Sequence, residues 1–172
     1  MAKTLIAYFS HQGETYFPDG CRMVEKGNAQ IIAEKASQII KADVFRIETI
    51  KEYPIGYEEC CNEAKREQDA GEFPELKEYL GSLSKYENLV VIYPCWWGTM
   101  PQAVFSFLRT YDLDNKHIYP ICTHEGSGMG RSEKDLNRVC ATDHVYNGLA
   151  IEGSKAEVCD EKLQEYLLKY VK

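Results

Sequence analysis

Three uninterrupted apolar runs constrain this chain more than any other feature: Thr4-Leu5-Ile6-Ala7-Tyr8-Phe9, Leu89-Val90-Val91-Ile92-Tyr93, and Ile118 through Cys122. A strand with one solvated face alternates apolar and polar residues. These runs do not alternate, so both faces of each strand are covered, as in a parallel sheet layered by helices. The segments between them carry helical spacing. Over residues 29–41 apolar side chains recur at Ile31, Ile32, Ala36, Ile39 and Ile40. Residues 57–68 form a charged helix that Gly71 stops. Pro101 opens a further helix through Val104, Phe105, Phe107 and Leu108. Ser132-x-x-Asp135 opens another in the manner of a capping box. Residues 160–171 turn Leu163, Leu167, Leu168 and Val171 inward. Val44, Phe45 and Ile47 supply a second strand and residues 145–151 a broken fifth. Strand-helix repetition of this kind predicts an α/β doubly wound domain, with no linker or repeat dividing residues 1–172.

The bulk properties narrow the function. The chain has 172 residues, enough to bury a sizeable core in one domain. Its net charge is −7 and no block of Lys or Arg stands out, which argues against nucleic acid as a partner. The sequence enters its first strand without the basic stretch and apolar run of a signal peptide. No apolar run approaches the roughly 20 residues that span a bilayer. The seven cysteines are scattered, form no Cys-x-x-Cys pair and have no histidine at zinc spacing. They read as reduced thiols of a cytoplasmic protein, and no metal is expected.

In an open parallel sheet, ligands bind beyond the carboxyl ends of the strands. Three loops there carry the chemistry. The first runs from Ser10 through Gln12, Gly13 and Thr15 to Gly27-Asn28-Ala29 at the start of a helix. Ser10 and the free N–H groups of that helix's first turn form a grip for a phosphate that needs no Lys or Arg. A plain turn with Asn28 as N-cap would read the same way. The second loop is Pro94-Cys95-Trp96-Trp97-Gly98-Thr99. Two adjacent indoles at a strand end point to one packed inward and one stacked on a ligand ring. Gly98 permits close backbone approach to a planar group. The third loop, Thr123-His124-Glu125-Gly126-Ser127-Gly128-Met129-Gly130, has an irregular backbone whose amides suit polar ligand edges. A phosphate grip beside an aromatic platform indicates a flat, phosphorylated cofactor, and flavin mononucleotide (FMN) fits best.

On these motifs the chain resembles flavodoxin-like proteins, specifically the bacterial subgroup with a Pro-x-Trp-Trp-Gly second loop and a glycine-rich third loop. The resemblance runs from Lys3 to the final helix. It implies a three-layer sandwich whose five parallel strands follow the order 2-1-3-4-5, with FMN at the sheet's end. It further implies that Ser10, Gln12, Asn28 and Ala29 hold the phosphate. Pro94, Cys95, Trp96, Trp97, Gly98 and Thr99 would flank the isoalloxazine, and Gly126, Ser127 and Gly128 would close over its polar edge beside His124 and Glu125. Two departures stand out. The family's first loop enters its helix directly, whereas here an insertion separates Ser10 from Gly27-Asn28-Ala29. In the third loop His124-Glu125 replaces a Ser-Gly pair, and a carboxylate there would lower the flavin potential.

Electron transfer through non-covalently bound FMN is the implied activity. The alternative is an FMN-dependent NAD(P)H:quinone-type oxidoreductase. An acidic carrier would meet basic redox partner proteins, while a reductase would take NAD(P)H and a small acceptor. Monomer and homodimer both remain open. Cys95 reads as a small buried residue rather than a nucleophile, and His11, His117 and His144 as surface or loop residues. Ser127 lacks the partners of a hydrolytic triad.

Overall fold

The computed structural model describes residues 3–171. Its main sheet contains β1 (Thr4–Tyr8), β4 (Asp43–Arg46), β5 (Asn88–Pro94), β6 (His117–His124) and β7 (Leu149–Glu152). These strands lie in the order β4-β1-β5-β6-β7, all pairs parallel. Numbered among themselves they run 2-1-3-4-5, as the resemblance implied. The chain reverses direction across the sheet at β1 and β5, whose register pairs Leu5 with Leu89 and Ile6 with Val90.

The continuous apolar runs split by period two between the faces. Leu5, Ala7, Phe9, Val91 and Tyr93 point to one side. There they meet α3 (Gln102–Thr110) and α4 (Ser132–Cys140), and the layer also carries α2 (Tyr57–Ala70). Ile6, Tyr8, Val90 and Ile92 point to the other, against α1 (Asn28–Ile39) and α5 (Asp160–Tyr170). Helix α1 presents only small residues inward beside Ile32, namely Ala29, Ala33 and Ala36, all buried. Its axis therefore approaches the sheet closely, and its N-terminus reaches the carboxyl end of β1.

Three expectations change on contact with the fold. The insertion after β1 is not an open loop but a hairpin, β2 (Gly13–Phe17) and β3 (Gly20–Val24), that forms its own two-stranded sheet. It is tied to the connection after β4, because Glu14 N–H donates to the Ile55 carbonyl at 2.8 Å. Gly13 is required at that seam: its φ is +132° and a Cβ would lie 2.7 Å from the Ile55 oxygen. Asn28 does not cap α1. The cap position is Gly27, and Ser10 Oγ, arriving from β1, accepts the Gln30 N–H at 3.1 Å. Ser132 and Asp135 do not close a capping box either. Ser132 Oγ donates to the Met129 carbonyl at 2.6 Å, and Asp135 accepts from Thr99 Oγ1 at 2.6 Å.

The fifth strand is broken as expected. Val145 bridges Ile118, then Tyr146 stacks on Tyr119 before pairing resumes at Leu149. No helix among the described residues is long and apolar enough to cross a membrane.

Candidate functional site

A cavity of about 710 Å³ opens at the carboxyl edge of the sheet, within the usual range for cofactor sites. All three loops contribute to it. Ser10, Asn28 and Ala29 line one end; Pro94, Cys95, Trp96 and Trp97 line a side; Thr123, His124 and Glu125 line the floor with Gly153.

The Ser10 end of the cavity carries no negative charge at its helix start. Helix α1 carries no acidic residue in its first turn, unlike α2, α4 and α5. Its first N–H groups, at Asn28 and Ala29, precede the intrahelical ladder, so they remain open to a ligand. Gly27 makes the junction possible, since a Cβ there would fall 2.3 Å from both Ser10 Oγ and the His11 carbonyl oxygen. A Cβ at Gly153 would likewise strike Asn28 Nδ2 at 2.3 Å. Two glycines thus keep side-chain bulk out of the space beside Ser10 and Asn28.

The two indoles of the aromatic side differ in burial. Trp96 is half-buried, edge-on to Phe9 at 5.2 Å and to Tyr53 at 5.0 Å. Behind it Tyr53 OH donates to Glu67 Oε2 at 2.6 Å, and burial raises the pKa of both groups. Trp97 is 47% exposed and spans to α2, its Nε1–H donating to the Cys61 carbonyl at 2.9 Å. Trp96 and Thr99 exchange backbone hydrogen bonds, closing a tight turn with φ of +51° at Trp97 and +79° at Gly98. Positive φ at a bulky residue is strained and persists only where its surroundings impose it. Here Arg131 does so: its N–H donates to the Gly98 carbonyl at 2.8 Å and its guanidinium to the Trp97 carbonyl at 3.3 Å.

The cavity wall contains no Lys or Arg, yet its carboxylates are not idle charges. Glu14 Oε2 accepts the Tyr57 N–H at the start of α2, at 2.8 Å. Glu125 accepts the Ser154 N–H and hydroxyl at the start of the 3₁₀ segment Gly153–Val158. Each sits where a helix start favours negative charge. Nδ1 of His124 accepts the Gly126 N–H at 2.9 Å, which assigns the ring proton to Nε2. His11 donates from Nε2 to the Pro54 carbonyl at 2.9 Å, and burial holds its pKa below the ordinary value.

Cys95 differs most from its sequence reading. It is half-buried and faces the cavity. Its neighbours lower its pKa to about 6 against burial, the adjacent Cys122 thiol most, with Ser127, the Gly98 backbone and Arg131 adding to the effect. Cys122 moves the opposite way through the same contact and its own burial.

Several expected residues lie outside the cavity wall. Gln12 is exposed at the foot of the hairpin. Gly98 is taken up by Arg131, and Thr99 is buried with its hydroxyl on Asp135. Gly126, Ser127 and Gly128 turn away past His124, with Gly126 at φ +130°. In their place the hairpin supplies Glu14, Thr15 and Tyr16, and α2 supplies Tyr57, Cys60 and Cys61. Tyr16 and Tyr57 face each other with ring centroids 6.0 Å apart. No group of three metal-ligating side chains occurs among the described residues.

An open, doubly wound sheet with a cavity at the carboxyl edge, an unoccupied-by-carboxylate helix start and an aromatic wall defines the class of α/β mononucleotide-binding proteins. The chain belongs to the flavodoxin family: a family profile described as Flavodoxin matches residues 3–169. No curated protein matches it. Among solved structures, a candidate flavoprotein from Bacteroides eggerthii superposes with a TM-score of 0.78 at 20% identity, covering 99% of this chain and 98% of that one. A candidate flavoprotein from Bacteroides uniformis gives 0.77 at 21%, over 96% and 97% of the two chains. A Lactobacillus acidophilus flavoprotein solved in complex with FMN gives 0.66 at 18%, over 90% and 96%.

Proposed function

We propose that this protein binds FMN non-covalently in the carboxyl-edge cavity and transfers electrons through it. The single observation carrying this reading is the pairing, within one cavity, of an open α1 N-terminus with an aromatic wall at Trp96 and Trp97. The residues present fit the group. The Ser10 hydroxyl and the N–H groups of Asn28 and Ala29 would hold the phosphate, with Asn28 Nδ2 as a further donor. Trp97 and Tyr57 would border the ring system, and the backbone around Pro94 and Cys95 its edge. When bound, FMN supplies reversible one- or two-electron redox chemistry. The chain's own part is to position it, exclude water and set the local charge. Glu125 and Glu14 place negative charge nearby, which disfavours a reduced, anionic ring and lowers the potential.

One observation favours an NAD(P)H-dependent reductase over a carrier. The hairpin and α2 raise Tyr16 and Tyr57 as a second wall opposite the sheet edge, so the cavity is sided rather than a shallow slot. A carrier needs an exposed flavin edge; a reductase needs room for a second planar molecule over the ring. An anaerobic reductive titration of FMN-loaded protein, followed by visible absorption, decides between them. Two resolved one-electron steps favour the carrier, and a single two-electron bleaching the reductase. Failure of the folded protein to retain FMN rejects both.

A further inference from the structure

A second cavity, of about 880 Å³, lies on the far side of the Trp96–Thr99 turn, between α3 and α4. Its charge contrasts with a chain of net charge −7. Arg109, Arg131, Lys134 and Arg138 all line it, against the single carboxylate of Asp135. Asp135 is buried and already committed. It accepts from Thr99 Oγ1 and Arg138, and pairs with Arg131 Nε at 3.4 Å. Arg109 and Lys134 have no carboxylate partner among the described residues. The cluster therefore holds a surplus of positive charge in a concave, partly apolar setting, where screening is weaker than on a convex surface.

The apolar part of the lining is aromatic. Phe73 is exposed, carries the Arg109 guanidinium over its ring at 4.0 Å, and lies 6.2 Å from Phe105. Tyr111 completes that end. Forked guanidinium donors recognise phosphate, and aromatic faces and stacked guanidinium planes accept a flat base. An acidic protein surface would use the same charges but would leave the aromatic end unfilled. The geometry points to this second cavity as a site for a nucleoside diphosphate, its phosphates among Arg109, Lys134 and Arg138 and its base against Phe73. The site is separate from the proposed FMN cavity and does not depend on it.

The test uses the full chain, uniformly ¹⁵N-labelled, titrated with ADP, pyrophosphate and adenosine in low salt. ADP is expected to saturate at submillimolar concentration, shifting amides of Phe73, Arg109 and 131–139. Pyrophosphate should shift the α4 amides at least tenfold more weakly, and adenosine should not saturate. Arg109→Gln combined with Lys134→Glu removes two exposed cations that hold no structural ion pair. This variant should keep the wild-type spectrum and weaken ADP at least tenfold. The proposal is overturned if ADP shifts only residues around Ser10 and Asn28, or if the double variant binds ADP unchanged. It is equally overturned if pyrophosphate matches ADP, or if only an acidic protein and no nucleotide perturbs α4. Because the readout comes from α3 and α4, it stands whether or not the protein retains FMN.

Discussion

Two cavities lie on either side of the Cys95–Thr99 segment, and they would hold an anion in opposite ways. On the sheet-edge side of the Cys95–Thr99 segment there is no Lys or Arg, and the positive end of α1 is the attracting element. On the α3–α4 side there are four cationic side chains around one buried carboxylate. Backbone donors are fixed by the fold, reach a short distance and select by shape. Mobile cations act over about 8 Å at physiological salt and select by charge. The first arrangement suits a resident group held in one pose, the second a ligand that exchanges.

That contrast is open to attack from both sides. The largest expected effect separates the two indoles. Trp96→Ala removes an edge-on partner of Phe9 and Tyr53 and should cost about 3 kcal/mol of stability in denaturant unfolding. Trp97→Ala should cost less than about 1 kcal/mol, because about half of the residue stays exposed, yet weaken FMN binding roughly tenfold. Equal losses of stability would erase the distinction between packed and ligand-facing indole. Next comes Gly27→Val, whose side chain would occupy the gap between Ser10 and α1. FMN affinity, read by quenching of flavin fluorescence, should fall about a hundredfold, since the site loses about 3 kcal/mol of phosphate hydrogen bonding. ADP binding in the second cavity should stay within twofold. A Gly27→Val protein that binds FMN normally would show that the phosphate lies elsewhere.

Smaller effects probe the sheet-edge cavity and the hairpin beside it. Cys95 should be alkylated by iodoacetamide about ten times faster than the other cysteines at pH 7, with a rate midpoint near pH 6. FMN should slow that reaction, and Arg131→Gln should move the midpoint upward by removing a nearby positive charge. Peptide mapping that finds Cys21 or Cys61 modified first would refute it. The smallest effect is at His11, which burial keeps neutral. Its folded pKa lies below that of the unfolded chain. Its share of stability is therefore complete above about pH 6.5 and lost as pH falls through the folded value. His11→Gln should flatten the unfolding midpoint between pH 7 and 5; an unchanged slope would count against a buried, neutral ring.

The sheet was legible because parallel strands covered on both faces announce themselves as unbroken apolar runs. So was the unequal burial of Trp96 and Trp97, which follows from putting two indoles at one strand end. The hairpin was not legible. Its second strand exposes most of its side chains and its first alternates weakly, so Gly13, Pro18 and Gly20 read as loop punctuation. The Ser10 cap of α1 bridges 20 residues, beyond any local capping pattern. The second cavity left a trace that a search for blocks of charge passes over. Arg131, just before α4, and Lys134 and Arg138 within it fall at helical spacing, although no two are adjacent. Arg109 joins them only through the packing of α3.

Trp96 and Trp97 are the only tryptophans in the chain. One is locked into the aromatic core beneath the sheet edge, and its neighbour sits at the rim under Arg131 and Lys65. The protein thus carries two intrinsic fluorophores one residue apart with unlike surroundings. A single emission spectrum holds two signals, a bluer component from half-buried Trp96 and a redder one from Trp97 at the rim, and both report on the cavity their rings line. Collisional quenchers can separate them without any label.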